Sequence, residues 1–364
     1  LGGQWPHSSF MVPGGAVSVP SAADLNQCRH LLHNYRRWYE SRILGCDLDT
    51  WGAVQSVDDL EAWLQASPAH AQSELGFFIR YGRAVGFEHL GHGHRRFITH
   101  GGPKLPTDTA VQSLGEEGML IPAGVYQDGG WQSLDPQKIT EDIGRAYYQG
   151  QGQFHPFDAV TVPAPNSADD EDVDPGENAK YSWAKAPRYD GGPAETGPLA
   201  DLLMAGHRLV THWVETRGAS VLIRQLARMI RPAVLLPAVD SWLQEMATCR
   251  SPFYHHYQKR INGQGFGLIT APRGALGHWI RLKDGVISNY QVIPPTAWNG
   301  SPRDGGGVRG PWEEALVGTA LADAENPIEV EHVIRSFDPC LVCAVHVVDA
   351  REPFPPRATR PLRG

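Results

Sequence analysis

Apolar residues recur at helical spacing in several stretches of the chain. Ser21-Ala-Ala-Asp24 reads as a helix start with Ser21 as N-cap. From Leu25 to about Ile43, the residues Leu31, Leu32, Tyr35, Trp38 and Tyr39 then mark one apolar face. Val57 to about Ala66 predicts a second helix, with Leu60, Trp63 and Leu64 together. Pro198 to about Arg217 predicts a third, and Ser220–Ile230 and Val239–Thr248 predict two more, separated by a run that Pro232 and Pro237 interrupt. A last helix is expected near 327–336. Short alternating runs lie between glycines in 75–130. Phe77–Tyr81 and Arg96–Thr99 are the clearest, and both predict strands. Three more strands are expected in 265–297, with Lys283-Asp-Gly285 as the hairpin turn between the last two. Residues 1–20 and 299–310 read as loops, and 151–198 mostly as loop. Helices and strands interleave without a linker or a repeat. The expected fold class is therefore α+β, a single large unit with a helical core and peripheral antiparallel strands.

Composition adds limits. A net charge of −8 leaves no basic face for phosphates, which argues against a nucleic-acid partner. Forty glycines and 29 prolines point to long irregular connections, yet 33 aromatic residues are too many for a disordered chain. No stretch approaches the roughly 20 apolar residues of a membrane span. The acidic run Asp169–Asp174 lacks the spacing and central glycine of a calcium loop and reads as a solvated turn.

Five cysteines are too few and too scattered for a disulfide framework. Cys28, Cys46 and Cys249 stand alone and read as small buried apolar residues. Cys340 and Cys343 form a Cys-x-x-Cys, with His346 three residues on. Two sulfurs at this spacing can share a soft or borderline metal or close a redox disulfide. A structural zinc site normally takes a second such pair, which this chain lacks. A redox motif would sit at the start of a helix, whereas this pair follows one. A metal centre whose other ligands lie outside this chain remains, beside a plain pair of buried thiols.

Asp338-Pro-Cys-Leu-Val-Cys-Ala-Val-His346 resembles the C-terminal signature of [NiFe] hydrogenase large subunits. Four other segments resemble that family, in its order. They are Gly2–Gly15, Lys180–Gly191, Ala271-Pro-Arg-Gly-Ala-Leu-Gly-His-Trp279 and Pro294-Pro-Thr-Ala-Trp-Asn299. The resemblance covers essentially the whole chain. The family's N-terminal Arg-x-Cys-Gly-x-Cys motif is not present, nor are its N-terminal magnesium-binding and proton-relaying glutamates. The chain is thus expected to be the C-terminal two-thirds of a large subunit, with residues 1–346 a partial domain that is inactive in isolation.

The resemblance implies a role for each matching residue. Cys340 would be a terminal nickel ligand and proton acceptor, and Cys343 a thiolate bridging nickel and iron, the iron carrying cyanide and carbon monoxide. Arg273 would stand over the iron, and Asp338 would pair with it or orient it; with Cys340 these are the candidate catalytic residues. Thr296 would donate its hydroxyl to a cyanide, while Pro272 and Pro295 would line the dry pocket around the diatomic ligands. His346 and the backbone carbonyl of Val292 would hold magnesium. His7 and His278 lie inside family motifs and are expected to be structural. Lys185–Asp190 is expected to pack near the subunit core. His92, His94 and His100, and the pair His255-His256, read as polar loop residues.

The implied activity is oxidation of H2 to protons and electrons as the catalytic subunit of an uptake hydrogenase. Electrons would leave through iron–sulfur clusters of a small-subunit partner, with segments 5–15 and 180–190 as candidate contacts. Maturation would need nickel-insertion factors and an endopeptidase that cuts after His346. Val347–Gly364, 18 residues with four Arg and four Pro, fits such a removable propeptide. A hydrogen-sensing subunit is the alternative, disfavoured by that tail, and an inactive fragment is another. A thiolate-free relative such as the quinone-site subunit of respiratory complex I is disfavoured by Cys340 and Cys343. The expected location is cytoplasmic or peripheral on the cytoplasmic membrane.

Overall fold

The computed structural model describes residues 10–105, 118–159, 161–164, 179–250, 252–258 and 260–340. A small ribbon, β1 (Met11–Val12) and β2 (Gly15–Ala16), leads into α1 (Ala22–Trp38). Ser21 caps α1 through a capping box with Asp24, as its sequence predicts. The helix runs on as one π turn over Tyr39–Leu44. Its face differs from the expected one. Leu25 and Tyr39 are buried, whereas Leu31, Tyr35 and Trp38 are exposed.

Short helices follow: α2 (Leu48–Gly52), α3 (Val57–Ala66), α4 (Pro68–Gln72) and α5 (Glu74–Ala84). Side chains of Asp47, Ser56, Ser67 and Ser73 cap them in turn. The expectation of a strand at Phe77–Tyr81 is overturned, since this segment lies within α5. The buried residues Leu75, Ile79 and Gly82 recur at helical spacing, and the rings of Phe77 and Tyr81 that suggested alternation face outward.

Two three-stranded antiparallel sheets come next. One has the order β3 (Arg96–His100), β4 (Ala123–Gln127), β5 (Gly130–Ser133). The other is built from β6 (Ile139–Asp142), β7 (Gln153–Phe154) and β8 (Ala186–Tyr189), with β6 in the middle. The acidic run 169–174 lies outside the described residues.

The predicted helix from Pro198 is two helices, α6 (Pro198–Met204) and α7 (Arg208–Arg217), broken where Gly206 takes a positive φ of 68°. Conversely, the two helices expected around Pro232 and Pro237 are one 28-residue helix, α8 (Val221–Thr248). A helix-interior proline costs about 3 kcal/mol. Burial of Leu236 and Ala238 beyond the break offsets that cost, and the Tyr39 hydroxyl donates to the Met229 carbonyl (2.8 Å) beside the disrupted ladder. The main apolar core forms where α8 meets α1, α5 and α6, with Leu222, Ile223, Leu226, Ala227 and Ile230 fully enclosed.

The C-terminal part holds β9 (Gly263–Ala271), β10 (Gly274–Lys283) and β11 (Val286–Ile293), antiparallel with β10 central. Asp284 and Gly285, both at positive φ, make the expected turn. Then come α9 (Pro295–Asn299), α10 (Pro311–Leu316), which the sequence pattern did not predict, and α11 (Ile328–Ser336). The architecture is the expected α+β arrangement. Among the described residues, no helix is long and apolar enough to cross a membrane.

Candidate functional site

Two polypeptide arms meet beside α8. The first is the end of α11. Phe337 closes that helix and is buried, with the Arg224 guanidinium 3.9 Å from its ring centre. Asp338 follows with φ 56°, the left-handed conformation that usually falls to glycine after a helix end. A carboxylate kept at this costlier position suits a side chain with a task. After Pro339, the Cys340 amide donates to the Thr296 hydroxyl oxygen at 3.1 Å. That oxygen accepts, so the Thr296 hydroxyl proton stays free for another acceptor.

Thr296 is buried in the first turn of α9, which Pro295 starts at N1 with its φ already set for a helix. Asn299, on the same helix, accepts from the Thr196 amide (2.9 Å) and donates to the Thr196 carbonyl (2.8 Å). α9 is thereby locked to the segment preceding α6.

The second arm is the β9–β10 turn, Ala271-Pro-Arg-Gly274. Gly274 has φ 122°, and a Cβ there would lie 2.5 Å from the Thr196 hydroxyl oxygen, so only glycine allows this approach. The same oxygen accepts from the Ala275 amide at 2.8 Å. Arg273 projects from this turn, its Nε 3.5 Å from Asp338 Oδ1. On the other side of that carboxylate stands Arg228 of α8, with Nε 3.8 Å from Oδ2. Arg228 also donates to the Ser336 carbonyl at 2.9 Å. Burial pushes the Arg228 guanidinium below its ordinary pKa, and Asp338 opposes that shift. One carboxylate between two guanidiniums leaves excess positive charge two residues from Cys340, a setting suited to anionic groups.

Six of the residues singled out in the sequence thus share one neighbourhood: Pro272, Arg273, Pro295, Thr296, Asp338 and Cys340. Val292, near the end of β11, pairs with His278 of β10 and lies four residues before Thr296. Cys343 and His346 lie outside the described residues, as does His7. Among the described residues no group of three His, Cys, Asp or Glu could hold a metal. The donors that are described suit a thiolate-bound metal with anionic ligands: a partly buried cysteine, a hydroxyl with a free proton and a cationic guanidinium.

The remaining expectations divide. His278 accepts from or donates to the Tyr290 hydroxyl at 2.7 Å on the sheet surface. Lys185 pairs with buried Glu141, and Arg188 is fully buried against Asp304 at 2.8 Å, so this segment packs inward as expected, while Tyr181 and Trp183 stay exposed. His100 is no loop residue. It ends β3, is buried, bonds the Leu276 carbonyl at 3.0 Å, and burial pushes its pKa down to about 4. His94 contacts the Arg309 carbonyl at 3.0 Å, and His255 and His256 are exposed. Cys249 is exposed rather than buried. Sequence reasoning missed Arg228. The available signal was three arginines, Arg224, Arg228 and Arg231, at one-turn spacing within an apolar helix.

Residues 82–346 match the sequence model of a family described as nickel-dependent hydrogenase. The uptake hydrogenase large subunit of Azotobacter chroococcum is 30% identical, over 96% of this chain and 61% of that protein. The quinone-reactive Ni/Fe-hydrogenase large chain of Wolinella succinogenes is 34% identical, over 64% of this chain and 46% of that one. The solved structure of the reduced Ni-Fe-Se hydrogenase from D. vulgaris Hildenborough superposes with a TM-score of 0.72 at 28% identity, covering 95% of this chain and 66% of that one. The chain spans about half to three-fifths of the length of these curated relatives.

Proposed function

From the premise that this chain belongs to the nickel-dependent hydrogenase family, we propose that it forms part of the catalytic subunit of an uptake hydrogenase that oxidises H2. The observation that carries the reading is the convergence of Asp338 and Cys340 after α11, Thr296 of α9 and Arg273 of the β9–β10 turn. Cys340 and Cys343 would hold a nickel–iron centre together with two thiolates from outside this chain. Such a centre, its iron bearing cyanide and carbon monoxide, would supply the site where H2 is split into protons and electrons.

The chain's own residues prepare that site. Thr296 orients the Cys340 backbone by accepting its amide and keeps a hydroxyl proton to offer an anionic ligand. Arg273 presents a guanidinium that can hydrogen-bond a second anionic ligand, and Asp338 holds it in place. Pro272 and Pro295 bring no N–H into the pocket and stiffen both of its edges. Cys340 can take up a proton at Sγ. His346 and the Val292 carbonyl would bind magnesium. An iron–sulfur small subunit would carry the electrons away, as the likeness to hydrogenase large chains implies. Nickel-insertion factors and an endopeptidase would complete the site, the latter removing residues 347–364. Loss of that tail would couple metal binding to the last folding step.

The test is metal analysis and infrared spectroscopy of the full-length protein purified with its partner. The expected result is nickel together with cyanide and carbon monoxide bands, iron in excess of nickel because the partner's clusters add to it, and loss of nickel in Cys340→Ser. A processed full-length protein without nickel overturns the proposal.

A further inference from the structure

Helix α8 turns three arginines toward the site at one-turn intervals, and each grips a different part of it. Arg224 forms a two-point pair with Glu195 (2.7 and 2.9 Å) and lies over Phe337. Arg228 holds Ser336 and Asp338. Arg231 reaches the other arm. One of its terminal nitrogens donates to the Pro272 carbonyl at 2.9 Å, and the other lies 3.0 Å from Asp201 Oδ2.

Asp201, on α6, is completely buried. Its Oδ1 accepts from the hydroxyls of Thr99 (3.0 Å) and Thr270 (3.3 Å). The Asp201–Arg231 pair therefore holds the β9–β10 hairpin at two points: the Thr270 side chain and the Pro272 carbonyl. That carbonyl belongs to the peptide joining Pro272 to Arg273. Fixing its direction fixes where Arg273 points. Packing cannot do this alone, because β9 is exposed along most of its length, with Phe266 and Ile269 about half open to solvent.

We propose that Arg231, anchored by Asp201, is a positioning residue that sets the orientation of Arg273 toward Asp338 and the site beside it. The partners of Arg231 are the Pro272 carbonyl and Asp201, so it acts through the backbone of the turn. The proposal rests on the hydrogenase reading for its chemistry, but its mechanical part does not. Burial pushes the Asp201 carboxyl up to about 6, while Arg231 and the two threonines favour its charged form, consistent with a pair that exists because its partners are fixed. The guanidinium suits the task because two of its nitrogens can serve two acceptors at once in a fixed plane.

The test uses the full-length protein with its partner subunit and the variants Arg231→Met, Arg231→Lys and Asp201→Asn. Hydrogen exchange of the metal-free protein reads the turn. Amides at 273–275 should exchange about tenfold faster in R231M while those at 222–227 in α8 keep their protection. R231K, which retains a donor for the Pro272 carbonyl, should recover most of the difference. D201N should fall between wild type and R231M. In the metal-loaded protein, the cyanide bands should shift in R231M and move back toward wild type in R231K. Unchanged exchange at 273–275 in both R231M and D201N overturns the proposal. So does loss of protection spread equally over α8, which would mark a merely structural pair. If the wild type shows no nickel or cyanide bands, the hydrogenase reading fails, and exchange at the turn still decides whether the clamp exists.

Discussion

The helical half and the β9–β11 sheet are secured in opposite ways. Around α8, side chains such as Leu222, Ile223, Leu226 and Ile230 are fully enclosed by other apolar groups. In the sheet, Val286, Ile287, Tyr290, Phe266 and Ile269 all face solvent, while the β10 face with Ala275 and Trp279, Leu268 of β9 and Ile293 at the end of β11 reach a small second core. The candidate site straddles this boundary. Asp338 and Cys340 extend from the helical half, and Arg273 from the sheet. Dispersion and burial fix one arm, whereas a few directional polar contacts fix the other. A site built this way keeps a rigid frame for its sulfur and a second arm whose aim depends on single hydrogen bonds.

Three experiments probe that contrast. The largest effect is expected at the buried ion pair beneath the boundary. Arg224→Met leaves Glu195 charged and enclosed, and should cost about 3–5 kcal/mol in denaturant unfolding. Adding Glu195→Leu should recover much of the loss; full retention of stability in R224M alone would show that packing, not the pair, secures this edge.

Truncation on the two sides should then differ. Leu222→Ala, in the helical core, should cost about 2–5 kcal/mol. Phe266→Ala, on the open sheet, should stay within about 0.5 kcal/mol. Equal costs would erase the distinction between the halves.

The smallest effect is the pH dependence. Burial lowers His100 and His207 from 6.5 to about 4, so the folded state binds fewer protons than the unfolded one in that window, and stability rises as pH goes up. Asp201 runs the other way. Its pKa is raised from 3.8 to about 6, so its contribution is present at low pH and is lost as pH rises through 6. Glu141, whose carboxyl burial also raises from 4.5, adds to Asp201, so two carboxyls offset much of the rise that the two histidines give between pH 4 and 6.5. Asp201→Asn should steepen that rise, and His100→Gln should flatten it, both read from unfolding midpoints across pH. A flat wild-type profile that D201N leaves unchanged would contradict the burial of these groups.

Much of the site was legible because its chemistry is written in short segments. Asp338-Pro-Cys340 and Pro272-Arg-Gly274 carry their residue types and their turn geometry together, and Pro295 announces the helix that presents Thr296. Arg228 and Arg231 were not legible. An arginine on an apolar helix looks alike whether it meets solvent or a carboxylate 110 or 30 residues away in the chain. His100 failed for the same reason, since its burial comes from the sheet strands laid over β3.

By itself the amino-acid order determined the local elements whose signals are local: capped helix starts, the Asp284-Gly285 turn, and the order of the motif segments. Only the tertiary structure decided that α8 passes through two prolines, that Phe77–Tyr81 coils instead of extending, and which arginine holds which carboxylate. The physical reason is one of scale. Caps and turns depend on hydrogen bonds within a few residues, whereas the choice between a broken and a continuous helix depends on burying surface against chain that is distant in sequence.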